Sequence, residues 1–215
     1  MVITNSLWPS ASAQVNLPLA TLRVAFINSS PAWERFISLD NIFDTLRPVL
    51  VDLRSRVLDR PPASEITGYF PIDKQRDLCN EVAETFGYDF SRGRIDTAVH
   101  PFCSGTGNDV RITTRFDEND PLGSIYSTIH EVGHALYEQN IDPIYSFSNI
   151  GRGVSMGVHE SQSRILENQL GRSESLADWL FKKFFDYFGD IGCKDSSSFY
   201  KSINSVWMVF TLYSF

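Results

Sequence analysis

The clearest pattern along the chain is the recurrence of apolar residues at three- and four-residue steps, which is typical of amphipathic helices. The first such run consists of Leu46, Val49, Leu50, Leu53 and Val57. We predict two helices here, over residues 33–46 and 48–58, because Pro48 is suited to the first turn of a new helix.

A proline and a glycine delimit the next predicted helix. Pro71 begins it, and it runs to about Phe86, with Gly87 just beyond its end. Two extended segments follow, Thr97–Phe102 and Val110–Phe116, separated by the turn-rich stretch SGTGND. The second segment alternates, with Val110, Ile112 and Thr114 on one face and Arg111, Thr113 and Arg115 on the other. The sequence therefore predicts a small β-structure after the first helices.

The stretch STIHEVGHALYEQ, Ser127–Gln139, is predicted to belong to one helix. Asp120 offers an N-cap, and Pro121 suits the first helical position. Apolar residues then recur at helical steps, namely Ile125, Ile129, Val132 and Leu136. A loop is expected after this helix, over residues 140–155.

Two more helices are predicted downstream of that loop. The first carries HESQSRILENQL and ends at Gly171. The second runs through LADWLFKKFFDYF, with either Ser173 or Ser175 as its N-cap. We find no repeats, no low-complexity tract and no linker between domains.

The spacing of two histidines in the middle of the chain indicates a candidate metal site. On a helix, His130 and His134 lie on one face, one turn apart, where both ring nitrogens would meet one metal ion. Glu131 points about 100° away, too far to be a ligand but near enough to reach a water on that ion. This is the H-E-x-x-H pattern of zinc peptidases. A chance match on an ordinary amphipathic helix is the alternative, so a third ligand is required.

Three protein ligands and one open position are typical of a catalytic zinc. The position ten residues after His130, where one class of these enzymes has a third histidine, is Asn140, so that class is excluded. A carboxylate from a second helix is the other common solution. Glu160 and Glu167 lie seven residues apart on the downstream helix and share a face, so spacing leaves both open.

Composition and charge restrict the class of protein. The chain has 215 residues, 42% hydrophobic and 21% charged, which suits one globular domain with a real core. A net charge of −7 leaves no basic excess to neutralise phosphates, so we expect no nucleic-acid partner. No run of about 18 apolar residues is present, so we expect no membrane span.

Cysteine usage and the N-terminal residues indicate the compartment. Cys79, Cys103 and Cys193 are odd in number and far apart, which favours neither a disulfide framework nor a cysteine metal knuckle. The N-terminal residues lack the basic stretch of a secretory signal. We therefore expect reduced thiols and a cytoplasmic location.

Four motifs occur in the order shown by one family of enzymes. They are HPF at His100–Phe102, DVRIT at Asp109–Thr113, HEVGH at His130–His134 and HESQS at His159–Ser163. The chain resembles the carboxypeptidase Taq family of zinc metallocarboxypeptidases, and the similarity extends over roughly Trp33 to Asn204. By this resemblance the metal ligands are His130, His134 and Glu160, Glu131 is the general base and acid, and Glu167 is a neighbour of the site.

The resemblance also implies a fold and an activity. The family fold is mainly α with a small β-sheet, zincin-like, and distantly similar to angiotensin-converting enzyme. Its members are usually homodimers that remove single amino acids from peptide C-termini. The implied cofactor is Zn²⁺, with other divalent ions such as Co²⁺ also accepted. The implied partners are peptide C-termini, with no nucleic acid and no membrane.

Three residues outside the metal motif are candidate substrate contacts by this resemblance. The alternative for His100 is a structural role as a hydrogen-bond partner at a strand end. His159 is a candidate for stabilising the developing oxyanion, and the alternative is that it only packs beside the metal site. Arg111 lies two residues from Asp109 on one strand face, and a structural pair between them is the favoured interpretation.

The chain departs from the family pattern at both ends. We expect a divergent segment over residues 1–30, a partial catalytic domain over 31–206 and an aberrant hydrophobic tail over 207–215, WMVFTLYSF. Two motifs from the C-terminal half of the family are missing, so the chain is interpreted as a truncated member. The alternative function is a catalytically inactive metal-binding helical module.

Overall fold

The computed structural model describes residues 39–60, 63–146 and 148–205. This part of the chain is mainly helical with one small sheet. Its α-helices are α1 (Leu39–Leu58), α2 (Ile72–Phe86), α3 (Pro121–Gln139), α4 (Met156–Arg164), α5 (Glu174–Phe188) and α6 (Ser196–Ile203). Short 3₁₀ turns occupy Phe90–Arg92 and Pro143–Tyr145, and a π-helix, Ile165–Leu170, directly continues α4. The predicted segments 1–30 and 207–215 lie outside the described residues.

The predicted break at Pro48 is wrong. Helix α1 continues from Leu39 to Leu58 with Pro48 in its interior. A proline removes one backbone donor, but the turns on either side keep their own hydrogen bonds and maintain one helix. Residues 33–38 of the predicted first helix lie outside the described part of the chain.

The remaining helix boundaries agree closely with the predictions. Helix α2 follows Pro71 and ends before Gly87, whose φ of 96° is the left-handed conformation that glycine adopts without strain. Ser173, and not Ser175, caps α5, where its side chain accepts a hydrogen bond from the Leu176 backbone. Helix α6 was not expected; Asp195 and Ser198 begin it with a reciprocal capping box.

The sheet has three strands, β1 (Ile95–Thr97), β2 (Phe102–Thr106) and β3 (Asp109–Thr114). Strand β3 is central, parallel to β1 and antiparallel to β2. The first predicted extended segment is therefore wrong in its bounds, because it spans the gap between two separate strands. The stretch SGTGND is partly strand as well, and only its centre forms the turn, with Gly107 at φ 58°.

Helix α3 is central in the described part of the chain. It contacts α2, α4 and the strands β2 and β3, while α5 packs against α6 and α2. The face of β3 that carries Val110, Ile112 and Thr114 is buried, and Thr114 donates a hydrogen bond to the Ser124 carbonyl of α3 at 3.1 Å. Phe184 of α5 joins the core through ring contacts with Phe70 and Phe199. The helix that carries the two histidines is thus fixed on several sides.

Among the described residues, no helix is both long enough and apolar enough to cross a membrane.

Candidate metal centre

The H-E-x-x-H motif lies in the last three turns of α3. Asp120 caps this helix as predicted, accepting a hydrogen bond from the Gly123 backbone at 3.1 Å, and Pro121 is its first residue. Because the helix is regular through the motif, His130 and His134 lie one turn apart with ring centroids 4.9 Å from each other.

Helix α4 approaches this face of α3 closely. Ser155 begins α4 by accepting a hydrogen bond from the Val158 backbone. At the crossing, Gly133 lies directly against Ser163, and a Cβ on Gly133 would overlap the Ser163 backbone. The absence of a side chain between the two histidines therefore allows α4 to bring Glu160 to them.

The two histidines and Glu160 form a compact set of donor atoms. Oε2 of Glu160 lies 3.6 Å from Nε2 of His130 and 3.3 Å from Nε2 of His134. All three candidate ligand atoms lie within 4.8 Å of one another, the one such group among the described residues. Tetrahedral ligands about 2.1 Å from a zinc ion are roughly 3.4 Å apart. Two imidazoles and a carboxylate at these separations fit a divalent ion.

Glu167 contacts His130 at its other ring nitrogen, Nδ1. Its Oε2 accepts a hydrogen bond from Nδ1 of His130 at 2.8 Å, which leaves Nε2 of that ring directed at Glu160. Arg164 joins the two carboxylates, donating to Oε1 of Glu160 at 2.8 Å and to Oε2 of Glu167 at 3.0 Å. The two glutamates that spacing alone left open therefore occupy different positions, and only Glu160 faces both Nε2 atoms.

Both carboxylates are held in their charged form. Burial by itself raises the pKa of Glu160, but the hydrogen bond with His134 and the nearby His130 and Arg164 outweigh it and hold the pKa at about 2. Burial also acts against ionisation of Glu167, and the hydrogen bond from His130 again leaves its pKa lowered. An ionised carboxylate is the form that binds a metal.

The pKa of Glu131 is raised, whereas those of Glu160 and Glu167 are lowered. Glu131 is buried, and burial raises the pKa of its carboxyl group. Charge from Glu160 and Glu167 raises the pKa further, while His130 and His134 act in the other direction. A carboxylate beside the donor set with a raised pKa is suited to accepting a proton and giving it back.

The three candidate substrate residues have different environments. His100 has an exposed side chain between β1 and β2, and its carbonyl accepts a hydrogen bond from Thr113. Arg111 is exposed and holds both carboxylate oxygens of Asp109, at 2.8 and 3.0 Å, which is the pair favoured by the sequence. His159 stacks on His134 and bonds to Glu138. Among the described contacts of these three residues, only those of His159 reach a member of the donor set, His134.

Sequence reasoning missed two residues of this centre. Arg164 is four residues after Glu160 and three before Glu167, and Glu138 is four residues after His134. These are the spacings at which side chains meet on a helix, so the signal was present in the sequence. It was not specific, because many charged residues have such neighbours.

A mainly helical fold in which an H-E-x-x-H helix faces a glutamate from a second helix defines a zincin-like protein of the metallopeptidase class. Residues 31–211 match the family described as carboxypeptidase Taq (M32) metallopeptidase. The chain belongs to this family, as the order of its motifs indicated.

Relatives with known names are similar over most of this chain. Carboxypeptidase 1 of Bacillus subtilis is 42% identical over 174 residues, which are 77% of this chain and 34% of that protein. Thermostable carboxypeptidase 1 of Thermus thermophilus is 36% identical over 193 residues, 88% of this chain and 38% of that protein. The crystal structure of M32 carboxypeptidase from Deinococcus radiodurans superposes with a TM-score of 0.74 at 40% identity, covering 78% of this chain and 34% of that one. The chain thus spans about a third of the length of these relatives.

Proposed function

We propose that this chain carries the metal centre of a carboxypeptidase that releases single amino acids from peptide C-termini. The observation that carries the proposal is the convergence of Nε2 of His130, Nε2 of His134 and Oε2 of Glu160, with the buried Glu131 beside them. The names of the relatives supply the substrate class, because each is a carboxypeptidase.

His130, His134 and Glu160 would hold the ion, and Zn²⁺ is the ion that this donor set favours, with Co²⁺ as a substitute. A divalent ion in this position would lower the pKa of water and polarise the scissile carbonyl. Glu167 fixes the ring of His130, and Arg164 orients the carboxylate of Glu160.

Glu131 acts as the proton carrier in this proposal. Its carboxylate accepts a proton from water as the water oxygen bonds to the scissile carbonyl carbon. When the carbon–nitrogen bond then breaks, Glu131 gives that proton to the leaving amine, so the carboxylate is restored. The raised pKa of Glu131 favours the first transfer and keeps the neutral acid present until the second.

The location and the oligomeric state are part of the same proposal. Cys79, Cys103 and Cys193 are all free, which agrees with a reducing compartment such as the cytoplasm. A homodimer is proposed from the family resemblance. His100 and Arg111 are retained as candidate substrate contacts on the same ground.

Two measurements on one pair of proteins test the function. Purified chain and its Glu131→Gln variant are analysed for metal and for amino-acid release from an N-blocked dipeptide. We expect about one zinc per chain in both, because Glu131 is not a ligand, and release only from the unsubstituted chain. Release that persists in Glu131→Gln would remove the proton carrier from the proposal. Metal at full occupancy with no release from either protein would favour the second candidate, a metal-binding helical module.

A further inference from the structure

The two histidines of the metal centre are held in different ways. His130 donates its Nδ1 hydrogen to Glu167 at 2.8 Å, the arrangement that usually fixes the orientation of a metal-binding histidine. Nδ1 of His134 is buried and has no hydrogen-bond partner, the one such side-chain atom in the described part of the chain. The orientation of His134 must therefore have another source.

A third imidazole covers the flat face of His134. The ring of His159, from α4, lies 4.6 Å from that of His134 with an angle of only 16° between the planes. Nε2 of His159 donates a hydrogen bond to Oε1 of Glu138 at 2.9 Å. Glu138 lies one turn beyond His134 on α3 and is only 15% exposed. His159 is thus anchored to the same helix that carries the ring it covers.

We propose that Glu138 and His159 are positioning residues that together fix the ring of His134 with its Nε2 toward Glu160. This inference rests on the proposed metal centre. Stacked rings resist rotation about the Cβ–Cγ bond, because turning either ring would drive its edge into the face of the other. The hydrogen bond to Glu138 prevents His159 from rotating away.

The surroundings of His159 support this role. The ring of Tyr137 also contacts the His159 ring, with centroids 5.0 Å apart and an interplanar angle of 55°. Gly153 also borders it, and a Cβ there would approach Cδ2 of His159 to 3.3 Å. With Nε2 bonded to Glu138, the His159 ring is held beside His134 by these contacts. Glu138 acts on the metal only through His159.

Metal affinity is the direct readout of this arrangement. Zinc dissociation constants are measured by competition with a chelator for the full chain and for Glu138→Ala, His159→Ala and the double variant. We expect each single variant to bind zinc about 10–100-fold more weakly, the size of effect known for outer partners of metal-binding histidines. The double variant should be no weaker than His159→Ala, because Glu138 has nothing left to hold.

Matched controls separate this role from a general loss of charge or fold. Glu138→Gln retains an oxygen that accepts the Nε2 hydrogen and should recover most of the affinity. Glu174→Ala removes an exposed acid at the start of α5 and should leave affinity unchanged. The visible spectrum of the Co²⁺-loaded protein adds a readout of ligand geometry, which should shift in Glu138→Ala and return in Glu138→Gln.

The outcomes distinguish the positioning pair from the metal centre itself. Unchanged zinc affinity in Glu138→Ala, or losses of affinity that add in the double variant, would overturn the positioning pair. Zinc binding by the unsubstituted chain would still uphold the metal centre in that case. No zinc binding by the unsubstituted chain would overturn both. If His159→Ala does not fold, the comparison of Glu138→Ala with Glu138→Gln decides the matter alone, since equal affinities would reject the pair.

Discussion

Arg164 shows how one residue can organise several charges in a small space. Its guanidinium donates to both Glu160 and Glu167, which would otherwise repel each other in a partly buried site. Its bond to Oε1 of Glu160 leaves Oε2 directed at the two histidines. The two carboxylates are therefore bridged by a cation, and the donor oxygen of Glu160 is oriented by contacts within the protein.

The different positions of the two glutamates lead to different expected losses. Glu160→Ala should remove a ligand and abolish stable zinc binding. Glu167→Ala should only free the ring of His130, so we expect full zinc occupancy at saturation with an affinity about 10–100-fold lower. Chelator competition and elemental analysis of the two variants check this. If Glu167→Ala lost the metal and Glu160→Ala kept it, the assignment of the two carboxylates would be reversed.

At the scale of elements, the site depends on how α4 continues and how closely it approaches α3. The π-helix Ile165–Leu170 begins immediately after Arg164 and contains Glu167. Its wider turns alter the direction of the residues that follow, and such segments often occur at functional sites. The Gly133 contact sets the distance between α3 and α4 in the same region.

Gly133→Ala should test the close approach of the two helices. The added methyl group meets backbone, which cannot rotate away, so α4 has to move outward. We expect a loss of about 1–3 kcal/mol in the free energy of unfolding and weaker zinc binding, because Glu160 moves with α4. Ser127→Ala on the same helix is the control and should change stability by less than about 0.5 kcal/mol. Denaturant unfolding of the metal-free proteins gives the comparison, and a Gly133→Ala variant as stable as the control would contradict the packing argument.

At the scale of the whole molecule, the proposed metal centre joins two helices that are separated by a loop. His130 and His134 lie on α3, which packs on the sheet and on α2, while Glu160 lies on α4 beyond the intervening loop. A bound ion would add a link between α3 and α4 that the unfolded chain lacks. Binding to the folded state alone raises stability in proportion to the logarithm of ligand concentration.

Zinc should therefore raise the melting temperature of the chain. At a free concentration 100-fold above the dissociation constant, the gain is about 2.7 kcal/mol, which corresponds to roughly 5–10 °C for a chain of this size. Thermal unfolding with zinc and with a chelator measures the difference. The Glu160→Ala variant should show no shift, and an equal shift in that variant would mean that zinc stabilises the protein elsewhere.

Structural features that depend only on residues close together in sequence could be predicted from the sequence. The bounds of α2 and α3, the cap at Asp120 and the pairing of Arg111 with Asp109 follow from backbone geometry over a few residues. The order of the four motifs likewise identified the family. The spacing of His130 and His134 predicted a shared face, because a helical turn repeats wherever the helix is placed.

Structural features that depend on packing between elements could not be predicted from the sequence. The separation of β1 from β2 is set by the pairing of each strand with β3, which lies later in the chain. Glu160 and Glu167 have equivalent spacing in the sequence, and their roles differ only because α4 crosses α3 at Gly133 and continues as a π-helix. The contact of His159 with His134 arises from the same crossing. Distances between separate helices are determined when side chains fill the space between them, and periodicity within one helix carries no information about that space.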